Sequence, residues 1–208
     1  MFAIARMNGL TAGFAVLALL ALSVFARPAA ANPEGFTQSL IDQGVSILND
    51  TSGGIPARNA RFRTFLEKYA DIQAAAMFTL GNYRRGAAQS ELDDFTAAFK
   101  EFAIAIYEKR LEQYAGQTLK VTRSVQNKPG DFTVYAEEAG RGPDALKVAF
   151  RLLGSEGNYR FVDVNVAGVW LSVEQRDQFS SFLSSNGGKI PLLSADLRRQ
   201  TSSIRGGR

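Results

Sequence analysis

The chain contains no cysteine and no histidine. The first absence excludes disulfides, thiolate zinc sites and cysteine nucleophiles. The second excludes any catalytic triad built on an imidazole base and every histidine-ligated metal. A metal would have to be held by carboxylates alone, and no acidic spacing in the chain supports such a site. There is no phosphate-cradling glycine loop and no dinucleotide fingerprint. Excess charge is scarce too: 24 Lys plus Arg against 20 Asp plus Glu leaves +4, which gives no reason to expect nucleic acid as a partner. What the chain does have is apolar mass. Hydrophobic residues make up 46% of it and 15 are phenylalanine, enough to build a core and exclude global disorder. Its 208 residues suit one domain.

The first segment reads as a targeting sequence. Arg6 precedes an uncharged run from Leu10 to Ala26, and Ala29 and Ala31 form an A-x-A site before Asn32. A basic start, an apolar stretch and small residues at the cut describe a cleaved secretory signal over 1–31. The run is short for a membrane span. A single exported domain is expected over 32–208.

The first half of that domain has helical periodicity. Phe36, Leu40, Ile41, Gly44, Ile47 and Leu48 share one face. Pro56 suits the first turn of a second helix, with Phe62, Phe65, Leu66 and Tyr69 on its stripe. Asp71 can cap a third helix, Ile72 to Leu80, closed by Gly81. Ser90 with Asp93 signals the start of a long fourth helix reaching Gly116. The second half alternates with period two in four stretches separated by NKPG, RGPD and SEGN, which predicts a four-stranded antiparallel meander. In the first strand Leu119, Val121 and Val125 share the apolar face, and Arg123 falls between them. Ser172 and Gln175 form a capping-box pattern for a helix ending at Gly187-Gly188. A short helix, Ile190 to Arg199, and a loose tail follow. The fold class is α+β: a curved four-stranded sheet covered by N-terminal and C-terminal helices.

Chemistry is thin. Asp163, between two valines, is the carboxylate best placed to be partly buried. It is either a general base or the ion-pair partner of Arg151 or Arg176. Arg58, Arg61, Arg63, Arg84 and Arg85 either bind an anionic headgroup or acidic partner, or form a solvated helix face. Phe95, Phe99, Phe102, Ile106, Tyr107, Val134, Val148, Phe150, Leu152 and Val166 either fill an ordinary core or surround a hollow. Trp170, at the exit from the fourth strand, either closes that core or borders a pocket mouth.

Four segments in order carry a resemblance. YADIQAAAMFTLGNYRRGA (Tyr69 to Ala87) resembles the "LG…WR" segment of the MlaC family of toluene-tolerance lipid carriers. SELDDFTAAFKEFAIAIYEKRLEQYAG is similar to its long aromatic helix, FVDVNVAGVWLSVEQRDQF (Phe161 to Phe179) to its "DV.V.GVSL" segment, and GGKIPLLSADL to its closing helix. Tyr83, Tyr159 or Phe161, and Trp170 depart from the family's usual Trp, Trp and Ser. The resemblance implies a non-catalytic periplasmic carrier needing no cofactor or metal, with an apolar cavity between sheet and helices. It implies acyl chains held by Phe99, Phe102, Ile106, Tyr107, Val134, Val148, Phe150, Leu152, Val166 and Trp170. The implied cargo is a glycerophospholipid. The implied partners are an MlaA-like outer-membrane lipoprotein and an inner-membrane ABC transporter with an MlaD-like MCE-domain subunit, in a system that maintains outer-membrane lipid asymmetry. A hopanoid-associated carrier of the same superfamily, and a small lyase or isomerase on a cone-shaped α+β fold using Asp163, are the alternative readings.

Overall fold

The computed structural model describes residues 32–206 apart from 111–117 and Glu156. The expected export signal and the expected helix end at Gly116 lie outside the described residues. Four helices come first: α1 (Pro33–Asn49), α2 (Gly54–Tyr69), α3 (Ile72–Leu80) and α4 (Gln89–Arg110). Strands β1 (Leu119–Lys128), β2 (Asp131–Glu138), β3 (Lys147–Ser155), β4 (Asn158–Val166) and β5 (Val169–Trp170) follow, then α5 (Leu171–Ser185) and α6 (Ile190–Gly206).

Local chemistry explains most of these boundaries. Asn32 Oδ1 accepts from the Gly35 amide at 2.6 Å and starts α1. Asp71 accepts from the Ala74 amide at 2.9 Å and starts α3, satisfying an otherwise orphaned donor. Ser90 lies inside α4 rather than at its cap. There Glu91 reaches back to the Ala88 amide at 3.3 Å, so the start shifts toward the N-terminus. The chain also remains helical past Arg199. Thr201 is buried, its hydroxyl donates to the Leu197 carbonyl at 2.8 Å, and Ile204 packs on the helical core. Leu193, Leu197, Thr201 and Ile204 form a helical stripe, so the expected loose tail is the second half of α6.

The sheet is an antiparallel meander in the order β1-β2-β3-β4-β5, with five strands instead of the expected four. Ala167 and Gly168 take φ of 50° and 90°, and this tight turn returns Val169 and Trp170 to pair with Val166 and Asn165. A two-residue strand after an Ala-Gly turn has no alternation to read. The face of Arg123 is also corrected. A β-bulge between Val121 and Arg123 sets Val121 opposite Ala136 and Ser124 opposite Val134. The extra residue inverts the alternation beyond it. Arg123 therefore leaves the apolar face and lies over the Tyr135 ring, 3.7 Å from its centroid, while Val125 is exposed.

Helix α1 covers the apolar face of the sheet. Phe36 meets the Tyr159 ring at 5.5 Å and packs with Val121, Phe132, Phe150 and Phe161 around fully buried Val134 and Leu152. Gln38 fastens this helix to the edge strand as a strand would: its amide donates to the Leu119 carbonyl at 3.2 Å and accepts from the Val121 amide at 2.9 Å. Of the C-terminal helices, α5 packs along β4 and β5 at the sheet edge, while α6 packs on α4 instead of covering the sheet as expected. With α3 and α4, α5 and α6 form a second, helical core centred on Phe179, whose ring meets Phe95, Phe99 and Phe102 at 5.9, 6.3 and 6.4 Å. Among the described residues there are thus three hydrophobic clusters: this helical one, the sheet cluster under α1, and a smaller one of Phe62, Leu66 and Ile104 between α2 and α4, with Phe161 of β4 packed on the last two.

Candidate functional site

The space between the helices and β4 is not filled. A cavity of about 270 Å³ lies where α2, α3, α4, α5 and α6 converge on the Phe161–Val164 stretch of β4. Two sequence features leave it open. The side chains facing it from α3 and α4 include Ala75, Thr79 and Ala103, too small to reach across. On the β4 side, a bulge between Arg151 and Leu152 pairs Asp163 with Arg151 and Phe161 with Leu152, leaving Val162 as an unpaired extra residue. Bulges of this kind re-aim a strand beside a site.

Beyond its short pairing with β5, β4 offers a backbone edge that two helix starts close. The Asp71 amide donates to the Phe161 carbonyl at 2.9 Å. Arg160 Nη2 donates to the Ala70 and Glu67 carbonyls at 2.7 and 3.3 Å, satisfying the end of α2. On the other side Asp163 accepts from the Ser172 amide at 3.0 Å and from the Ser172 hydroxyl. Asp163 is thereby the N-terminal cap of α5, in place of the local capping box expected from Ser172 and Gln175. It forms a direct salt bridge with neither arginine: Arg151 stands opposite it in the strand register and feels its charge but binds Asp131 at 2.7 Å, and Arg176 pairs with Asp177 and lies over the Phe78 ring. The Arg151 guanidinium holds the buried Asp131 carboxyl below the usual carboxylate range, against the opposing effect of burial.

The cavity has an apolar floor and a polar mouth. Leu66, Phe99, Phe102 and Ile104 are buried, and Ile72, Ile106, Tyr107, Phe161, Val164 and Leu171 are half-buried around them. The exposed lining residues, which mark the mouth, are all polar: Glu174, Gln178 and Gln200; Asp71, Asp163, Ser172 and Gln175 are half-buried beside them, and Thr79 is a buried polar exception. Among the described residues, no group of three or more acidic side chains is arranged to hold a metal ion, and no helix is long and apolar enough to cross a membrane.

Of the ten residues singled out from the sequence, the cavity brings together Phe99, Phe102, Ile106 and Tyr107. Val134 and Leu152 are fully buried in the sheet cluster on which Phe36 of α1 and Phe150 pack, and Val148 is buried on the neighbouring part of β3. Val166 and Trp170 flank the β4–β5 turn, and Trp170 immediately precedes the lining residue Leu171. Sequence reasoning missed Leu66, Ala75, Ala103, Phe161 and the glutamines. The alanines carried the one usable signal, since a small residue on a core stripe leaves room that its neighbours must fill. Of the five arginines, Arg61 pairs with Asp50 at 3.1 Å and Arg63 with Glu101 at 2.7 Å. Arg84 reaches the Met77 carbonyl at 3.5 Å. None of the five lines the cavity.

Comparison with known proteins agrees with this architecture. The fold is similar to that of a phospholipid-binding protein from Ralstonia solanacearum solved in complex with a phospholipid. The TM-score is 0.72 at 18% sequence identity, over 84% of this chain and 99% of that one. A family model described as MlaC protein matches residues 38–199. That span takes in every lining element except the last residue, Gln200, and on it the chain belongs to the MlaC family.

Proposed function

We propose that this protein is a periplasmic carrier of glycerophospholipid, a binding protein and not a catalyst, exported by cleavage before Asn32. The observation that carries the reading is the void between the helices and β4, where the buried lining is mostly apolar and the exposed lining is polar. This polarity gradient matches an amphiphile, and the similar Ralstonia protein holds a phospholipid. In this reading acyl chains lie against Phe99, Phe102, Ile106 and Tyr107, and the headgroup stays at the mouth.

At about 270 Å³ the cavity is below the range of about 300–1,000 Å³ usual for small-molecule sites, so a loaded carrier must widen. Phe161 is the partition. It packs both on the cluster of Phe62, Leu66 and Ile104 and on the cluster of Val134, Leu152 and Tyr159. Rotation of its ring would join the cavity to the sheet face and bring in Val134, Val148, Phe150, Leu152 and Val166, with Trp170 near the rim. Burying each methylene is worth about 0.8 kcal/mol, and a bilayer offers the same gain. Transfer between membrane and carrier therefore lies near balance, and release is not blocked. The sequence carries no nucleotide-binding motif, so any net drive comes from partners. In this reading those partners are an MlaA-like outer-membrane lipoprotein and an inner-membrane ABC transporter with an MlaD-like MCE-domain subunit.

Native mass spectrometry of the protein purified from the cell envelope, with N-terminal sequencing, tests the reading. The expected species begins at Asn32 and carries phospholipid. A lipid-free protein retaining Met1 in a membrane fraction overturns it.

A further inference from the structure

The mouth of the cavity has a charge pattern that a general lipid site would not need. No lysine or arginine lines it among the described residues, whereas Asp71, Asp163 and Glu174 all do. Two helices start there, and a helix N-terminus is the natural place to hold a phosphate. Both are already occupied by carboxylates of the chain: Asp71 takes the Ala74 amide of α3 at 2.9 Å, and Asp163 takes the Ser172 amide of α5 at 3.0 Å together with the Ser172 hydroxyl. An incoming anion would meet carboxylates where it would otherwise find amides.

Several cations on the lining elements are engaged elsewhere. Arg63 and Arg205 both bind Glu101, Arg160 binds the carbonyls at the end of α2, and Arg176 is held by Asp177 and the Phe78 ring. Glu174 has no ion-pair partner among the described residues and stands exposed in the first turn of α5. A short amide relay ends on it: Gln175 Nε2 donates to Gln178 Oε1 at 3.2 Å, and Gln178 Nε2 donates to Glu174 Oε1 at 3.4 Å.

We infer that this mouth selects lipids whose headgroup carries an amine, and discriminates against lipids of net negative charge. This rests on the carrier reading above. An ammonium group neutralises the lipid's own phosphate and donates to Glu174 and the glutamine carbonyls, while an anionic lipid leaves its charge facing three carboxylates. Specificity arises from this difference, the repulsive half included.

The test uses the exported protein stripped of lipid and confirmed as folded by circular dichroism. It is equilibrated with vesicles containing equal amounts of phosphatidylethanolamine and phosphatidylglycerol with identical acyl chains. The bound lipid is then identified by native mass spectrometry for the wild type, Glu174→Gln and Glu174→Lys. The expected result is severalfold enrichment of phosphatidylethanolamine in the wild type, reduced in Glu174→Gln, abolished in Glu174→Lys, and weakened by added salt. Bound lipid that mirrors the vesicle ratio, enrichment of phosphatidylglycerol, or an unchanged preference in Glu174→Lys overturns the inference and leaves the carrier reading intact. Failure of every form to take up either lipid overturns the carrier reading itself.

Discussion

Replacing Glu101 with glutamine removes the charge that ties three of the cavity-forming helices together. Glu101 stands on α4, where both its oxygens accept from Arg63 of α2 at 2.7 and 2.9 Å. One of them also accepts from Arg205 of α6 at 2.9 Å. These hydrogen bonds, Arg63 first, outweigh burial and lower the carboxyl from its ordinary value of 4.5 to about 2. Fully expressed, that difference is worth about 3 kcal/mol of stability at neutral pH. The side chain is 39% exposed, so water screens the interaction and about 1–2 kcal/mol is expected. For a chain of this size that lowers the melting temperature by about 3–6 °C. The sign follows from the depressed folded value: the stabilisation is present above the unfolded value near 4.5 and is lost as pH falls toward 2. Asp94, paired with Arg198, and Asp131, paired with Arg151, are also held below their ordinary range. They add to acid lability in both proteins, so the difference between wild type and Glu101→Gln isolates Glu101. Urea midpoints measured from pH 7 down to pH 2 should differ at neutral pH and converge at the acid end. Equal midpoints at pH 7, or a difference that persists at pH 2, would refute the reasoning.

Three further outcomes are expected. Ala103→Trp places an indole in the cavity, so it should sharply reduce co-purifying lipid while changing the unfolding free energy, measured in urea, by less than the about 1–3 kcal/mol that overpacking a closed core costs; undiminished lipid content would mean the cavity is not the binding space. Asp163→Ala leaves the Ser172 amide and hydroxyl at the start of α5 without their acceptor and should cost about 1–2 kcal/mol, measured by chemical denaturation; an unchanged midpoint would show that the cap contributes nothing. Ending the chain at Arg199 removes the packing of Thr201 and Ile204 and the Arg205–Glu101 pair; a loss of about 2 kcal/mol or more is expected, and a truncated protein as stable as the full chain would mean the last turns of α6 do not pack in solution.

The sequence by itself determined whatever depends on neighbours within a few residues. Asp71 and Gly81 bracketed α3 correctly because a cap and a stop act on amides and carbonyls no more than four positions away. The period-two runs located β1 to β4, and the stripe Phe95, Phe99, Phe102 and Ile106 marked one side of α4 because helical spacing is local geometry. The lack of cysteine and histidine narrowed the available chemistry before any fold was known. Tertiary structure decided the rest. One inserted residue at Thr122 reversed the face of Arg123, and pairing to β2 alone reveals such an insertion. The cap of α5 came from Asp163, nine residues upstream across a hairpin, where no local capping pattern could locate it. The end of α6 depended on α4 supplying a surface for Thr201 and Ile204. The cavity depended most on assembly: Ala75, Ala103 and Phe161 belong to three elements distant in sequence, and a space is a property of what fails to meet. Periodicity identifies which side chains face inward. Only the packed chain determines whether they touch.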